Sequence, residues 1–180
     1  VKSSGIRAIK VNEDDKVLGV RVTDGKKDIL ICADSGKVIR FAESDCRPMG
    51  RVSQGVKGIA LDEGERAIGM CIIEDGMQIL SVTEKGYGKR SEAAEYRKQS
   101  RGGKGIIAMK LTAKTGNLSQ MKPVEEQDDL MIITNKGQVI RTGISGISLL
   151  GRNTQGVRLI NLKDGESVVA VEKIADSDED

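Results

Sequence analysis

Apolar residues fall in short bursts along this chain, and each burst is closed by polar residues and a glycine. Asp28-Ile-Leu-Ile-Cys32, Gln78-Ile-Leu-Ser-Val82 and Asp129-Leu-Met-Ile-Ile133 are rich in aliphatic and β-branched side chains. Each leads into a turn, Ala33-Asp-Ser-Gly36, Thr83-Glu-Lys-Gly86 or Thr134-Asn-Lys-Gly137, and then into a second run such as Lys37-Val-Ile-Arg40 or Gln138-Val-Ile-Arg141. The pattern predicts β-hairpins whose turn needs a left-handed residue where glycine sits, typically a type I turn closed by a G1 bulge. Further strands are predicted at 6–11, 56–61, 106–111 and 157–162, and at 17–22, 67–72 and 168–174. Pro48 and Pro123 fall between these segments.

The bursts repeat. Glycine stands at 5, 55, 105 and 156, each time followed by Ile or Val, at steps of 50, 50 and 51. A second series, Gly36, Gly86 and Gly137, keeps the same step and is followed four positions on by Arg40, Arg90 and Arg141. A period near 50 marks a blade or solenoid unit, and four short strands per unit describe a propeller-type blade. The expected fold is all-β: an array of four-stranded antiparallel blades in about three and a half repeats. Units are expected near 1–25 (half a blade), 26–75, 76–126 and 127–175, followed by an acidic tail at 176–180. Blades cannot bury both faces alone. With no initiator Met, signal sequence or long apolar run, the chain reads as a soluble piece of something larger, with further blades expected upstream.

Composition narrows the chemistry. The chain has no histidine, which removes the commonest general base and metal ligand, and enzymatic chemistry and a metal site are not expected. Cys32, Cys46 and Cys71 are dispersed and odd in number, as in a reduced cytosolic protein. Phe41, Tyr87 and Tyr96 are the whole aromatic set, too few to stack single-stranded bases. The net charge of +2 hides an acidic end, because residues 176–180 hold four carboxylates and leave 29 basic against 23 acidic side chains in the rest. A basic body with an acidic tail points to a polyanion partner and a segment able to compete for it.

The candidate chemistry sits in the stretch 96–106, where Arg97, Lys98, Arg101 and Lys104 are interleaved with Gly102, Gly103 and Gly105 and no carboxylate intervenes. Glycines let a backbone approach phosphate closely, while Arg and Lys supply charge and donors. Within it, Ser100-Arg-Gly-Gly-Lys-Gly105 aligns with Gly50-Arg-Val-Ser-Gln-Gly55 and Gly151-Arg-Asn-Thr-Gln-Gly156, so Arg51, Arg101 and Arg152 share one place in the repeat. A ring of blades would line them along one rim, joined by Arg40, Arg90, Arg141, Lys57 and Arg158. In the competing reading the arginines staple neighbouring blades to carboxylates such as Asp28 and Asp129, a series that Gln78 breaks.

These residues resemble the C-terminal domain of the DNA gyrase A protein, a six-bladed β-pinwheel. Gln99-Ser-Arg-Gly-Gly-Lys-Gly105 is similar to that family's signature box, Gln-Arg-Arg-Gly-Gly-Arg/Lys-Gly, with Ser100 in place of its first Arg. Gly151-Arg-Asn-Thr-Gln-Gly-Val157 and the acidic end 174–180 are similar to its last blade and tail. The loop 99–105 reads as a box-like loop of a late blade, with the full box upstream. The resemblance implies a non-catalytic module that binds and wraps double-stranded DNA, part of an ATP-dependent type II topoisomerase whose active site lies elsewhere. It implies the remainder of gyrase A, together with gyrase B, as partners in a heterotetramer, a cytoplasmic, nucleoid-associated bacterial location, no membrane, and no cofactor in this piece. Gln99 joins the candidate DNA contacts on the strength of the box. The alternatives are the related domain of topoisomerase IV and a propeller used as a protein-interaction platform.

Overall fold

The computed structural model describes residues 5–174. Its strands are β1 (Asp28–Ala33), β2 (Lys37–Ala42), β3 (Ala67–Ile73), β4 (Gln78–Thr83), β5 (Tyr87–Glu92), β6 (Ile106–Ile107), β7 (Leu118–Val124), β8 (Asp129–Thr134), β9 (Val139–Gly143), β10 (Val157–Arg158) and β11 (Val168–Ile174). The fold is all-β and antiparallel, with no α-helix among the described residues. The three predicted hairpins form as β1–β2, β4–β5 and β8–β9. In each, the turn glycine donates its N–H to the carbonyl three residues back, Gly36 to Ala33, Gly86 to Thr83 and Gly137 to Thr134, all at 3.0 Å.

Each hairpin seeds one sheet. β3, β7 and β11, the runs that follow the hairpins, pair with β1, β4 and β8. The fourth strand is borrowed from the next unit. Ile106 and Ile107 of β6 pair with Val38 and Lys37 of β2, about seventy residues earlier, and Val157 and Arg158 of β10 pair with Gly88 and Tyr87 of β5. Two sheets are therefore four-stranded, and the third has three strands, β11-β8-β9.

The borrowing explains where the predicted strands fail. Residues 6–11, 17–22 and 56–61 form no strand, and Val20 and Val22 are 76% and 98% exposed. Their equivalents pair with a hairpin about forty or seventy residues earlier, and this chain holds no such hairpin for them. The predicted runs 106–111 and 157–162 keep only two residues each as strand, after which the backbone turns inward and buries Ala108, Met109 and Ile160.

β7 corrects the reading of Pro123, which lies inside a strand and opposite Ile79. β7 is an edge strand bonded only to β4, so its outer side tolerates the missing donor. Its buried residues, Leu118, Met121 and Val124, recur every third position, so no alternation announced it.

The core lies between adjacent sheets. Leu30, Cys32, Val38, Cys71 and Ile73 of the first sheet pack with Ile79, Tyr87, Tyr96, Met109 and Leu118 of the second unit. Leu80, Val82 and Val124 then join Leu130, Ile132, Ile144, Ile160 and Val171. Neighbouring sheets thus cover one another's faces, each fully buried Leu or Ile contributing about 1.5–3 kcal/mol.

Candidate nucleic-acid interface

The loops ahead of β6 and β10 are held in the same way. Arg101 Nη1 donates to the Lys57 carbonyl at 2.7 Å, and Arg152 Nη1 donates to the Ile107 carbonyl at 2.8 Å. Lys57 and Ile107 are fifty positions apart, so each loop arginine reaches the equivalent carbonyl of the unit before it. Arg101 adds a bond from Nε to the Asp45 carbonyl at 3.2 Å, and the Gly102 N–H donates to the Gly58 carbonyl at 2.7 Å. Both arginines stay half-exposed and are held by carbonyls, and no carboxylate among the described residues pairs with their charge. Arg51 stands exposed on the equivalent loop, and Lys57 is exposed beside it.

The glycines of these loops serve blade packing first. A Cβ on Gly105 would lie 2.2 Å from the Val38 carbonyl oxygen, and one on Gly156 would lie 2.5 Å from that of Gly88, at φ of +73° and +72°. Gly102 approaches the Lys57 carbonyl, and Gly103 lies over Ile39. Close approach to a neighbouring strand therefore accounts for Gly156 and also for Gly105, beside which a phosphate was expected.

The hairpin arginines correct the rim expectation. Arg40 and Arg90 are buried, 7% and 6% exposed. Arg40 meets Asp28 at 2.7 Å and Asp75 at 2.8 Å and donates to the Ala93 and Tyr96 carbonyls. Arg90 donates to the Ile147 carbonyl at 2.7 Å and to Gln78 Oε1 at 2.9 Å. Each guanidinium thus ties its hairpin to the chain leaving the next one, which is the stapling arrangement. Gln78, read as a break in the carboxylate series, occupies the same place with a neutral acceptor. Arg141, with Asp129 at 2.5 Å, is the third of the set and remains 67% exposed.

Several predicted cations are shared with acids. Lys98 bonds Asp28 at 2.7 Å, and Lys104, 74% exposed, lies 3.1 Å from Asp62, which also takes Lys37 at 2.6 Å. Burial would raise the Asp28 carboxyl, but hydrogen bonds from Lys98 and Arg40 outweigh it and hold the group below the usual carboxylate range. Hydrogen bonds from Lys37 and Lys104 do the same for Asp62. Arg97 is exposed, and Gln99 is half-buried with its N–H on the Arg40 carbonyl at 2.8 Å. Arg158 is exposed and lies over the Tyr87 ring, donating to its hydroxyl at 2.9 Å, and Lys114 approaches the same ring. Tyr96 is fully buried.

Sequence reasoning missed a buried lysine. Lys89 is 0% exposed and donates to the Gly151 carbonyl at 2.6 Å and to that of Arg152. The signal was present: Ile39 and Ile140 hold the equivalent places, and a lysine there breaks an apolar register. The acidic tail at 176–180 lies outside the described residues. No helix among the described residues is long and apolar enough to cross a membrane.

A family model described as DNA gyrase C-terminal domain, beta-propeller, matches residues 2–24, 27–71, 78–125 and 128–175. The DNA gyrase A protein of Clostridium acetobutylicum is 52% identical over 178 residues, covering 99% of this chain and 21% of that protein. The gyrase A proteins of Pseudomonas aeruginosa and Klebsiella oxytoca are 42% and 38% identical, with 96% and 99% of this chain and 19% and 20% of theirs covered. The chain thus spans about a fifth of the length of these relatives. A solved DNA gyrase A C-terminal domain superposes with a TM-score of 0.87 at 26% identity, over 97% of this chain and 59% of that one. The C-terminal domain of DNA topoisomerase IV shares the fold, with a TM-score of 0.87 at 24% identity over 93% of this chain and 52% of that one.

Proposed function

From the membership of this chain in the DNA gyrase C-terminal domain family, a β-propeller domain of a type II topoisomerase, we propose that it is a non-catalytic module that binds and wraps duplex DNA. The observation that carries this reading is the equivalence of the loops at 50–55, 100–105 and 151–156. The same arginine recurs in each, and Arg101 and Arg152 are pinned by the same carbonyl bond, with guanidinium charge left for an outside anion. Groups repeated at a fixed step suit a ligand that is itself a repeating polyanion.

Arg51, Arg101 and Arg152 form the primary contact line, with Lys57, Arg97, Lys104 and Arg158 as the exposed cations beside it. Thr154 and Gln155 add uncharged donors. Such contacts go to phosphates and carry no sequence information. Bending 20–30 base pairs by 40–90° costs on the order of 1–6 kcal/mol, so several phosphates must be gripped to offset it. Within a gyrase, with the rest of gyrase A and with gyrase B, wrapping would present a crossing of fixed hand to ATP-driven strand passage, and the covalent chemistry would lie outside this chain. The units at 1–25, 26–75, 76–126 and 127–175, with the tail 176–180, divide the module into successive steps along the duplex.

Salt titration tests the reading. If about six phosphates are neutralised, log affinity for duplex DNA falls against log salt with a slope of about −5. Absence of duplex binding at low salt would favour a protein-binding platform instead.

A further inference from the structure

Lys89 is the most deeply placed cation of the described chain that faces no carboxylate across a salt bridge. It sits on β5 opposite Ser81, also fully buried, where the first and third hairpins place the pairs Ile31–Ile39 and Ile132–Ile140. The substitution of a polar pair for an apolar one changes how the next loop is held. In the first blade Ile39 lies against Gly103, and the loop 100–105 rests on an apolar side chain. In the second, the Lys89 ammonium reaches the Gly151 and Arg152 carbonyls directly. Neighbouring side chains complete the grip: Ser91 Oγ donates to the Leu150 carbonyl at 2.7 Å, and Glu95 accepts the Arg152 N–H at 2.6 Å. A buried ammonium is costly unless its protons find acceptors, and the acceptors here are the backbone of the loop that presents Arg152.

We propose that Lys89 is a positioning residue for duplex binding: its ammonium orders the loop 151–156 and aims Arg152, and its deprotonation loosens that loop. This rests on the duplex-binding reading given above. The ammonium contributes charge-assisted donors that a neutral amine supplies more weakly. Burial pulls Lys89 down to about 8, Glu95 opposes the shift and Arg152 reinforces it. These are the charged groups facing it, one from the turn after β5 and one from the loop itself. The switch therefore falls just above neutral pH, well below the range in which a lysine in water gives up its proton. It acts on the second-blade loop alone, since Ile39 beneath the first cannot titrate.

The test joins two readouts on the chain in its full-length context. Amide exchange across 151–156 is compared with that across 101–105, and affinity for a mixed-sequence labelled duplex is followed from about pH 7 to about pH 9.5. The expected wild-type result is a loss of affinity of about threefold or more centred near pH 8, with faster exchange in 151–156 only. Lys89→Met should give the loosened loop, about tenfold faster exchange, and a flat pH profile, whereas Lys89→Arg should keep the loop protected at every pH. The wild-type profile needs no substitution and stands even if a variant folds poorly. Unchanged exchange across 151–156 in Lys89→Met, equal loosening of both loops, or a pH profile that persists in that variant would overturn the inference. A wild-type protein that binds no duplex would overturn the proposed function instead, and loop exchange would still decide whether Lys89 holds the loop.

Discussion

Arg40 and Asp28 meet inside the first sheet, Nη2 to Oδ2 at 2.7 Å, with each side chain only 8% exposed. Asp28 opens β1 and Arg40 lies near the end of β2, so the pair closes the hairpin at its base. The guanidinium then continues to the Ala93 and Tyr96 carbonyls and fixes the first hairpin to the chain leaving the second. An ion pair placed there governs how neighbouring blades sit.

Removing one member of that pair should be far worse than removing a surface charge. Arg40→Ala leaves Asp28 buried beside Lys98 alone, and the expected loss is about 3 kcal/mol. Lys104→Ala, on a side chain 74% exposed, should leave stability unchanged to within about 0.5 kcal/mol. Urea denaturation of both variants checks the ordering.

The same pair predicts acid sensitivity. The Asp28 carboxyl is held below its ordinary range, so its stabilisation is present above the unfolded value, near pH 4, and is lost as pH falls through the lower folded value. Thermal melts from about pH 5 to about pH 2 should show a steep decline in the parent and a shallower one in Asp28→Asn, which starts from lower stability.

Glycines with the same φ sign should not tolerate change equally. Gly105→Ala drives a methyl group to 2.2 Å from a carbonyl oxygen and should cost several kcal/mol and open the β2–β6 edge. Gly55 has the same handedness, φ +89°, with no atom within 4 Å, so alanine there should cost only about 1–2 kcal/mol of backbone strain. Chemical denaturation of the two variants decides it.

Arginine and lysine in the box-like loop should separate by readout. Lys104→Ala should weaken duplex binding about equally on unrelated sequences and reduce the salt slope by about 1, leaving the fold intact. Arg101→Ala should do this and also lower stability by about 1 kcal/mol, because its bond to the Lys57 carbonyl is lost. Anisotropy titrations at several salt concentrations, paired with melts, distinguish the two.

Buried thiols should be slow. Burial pushes Cys32 and Cys71 up to about 12, whereas Cys46 is half-exposed and raised less. Under native conditions an alkylating reagent should therefore label Cys46 first, read by mass spectrometry.

The hairpins and the fifty-residue step were legible because local signals, a glycine at the turn and apolar bursts on each side, act within ten residues. β7 was not, since an edge strand carrying Pro123 needs no alternation to hold its place. The segments at 6–11 and 17–22 looked like strands by composition, but a strand also needs a partner, and theirs is missing from this chain. At the site, recurrence located Arg101 and Arg152 but could not separate an arginine facing solvent from one turned into the protein. Burial drew that line, sending Arg40 and Arg90 inward. Lys89 escaped notice because a lone lysine ordinarily marks an exposed position, and this one lies under a loop about sixty residues further on.

The loan of β6 to the first sheet and β10 to the second makes the module a row of interlocked clasps rather than a string of separable beads. Excising one unit would unfasten the sheet before it as well as delete its own. Contacts spanning about seventy residues must form before any clasp shuts, so assembly should be slow for a domain of this size. Once the clasps are shut, a pull on any one of them is shared along the row.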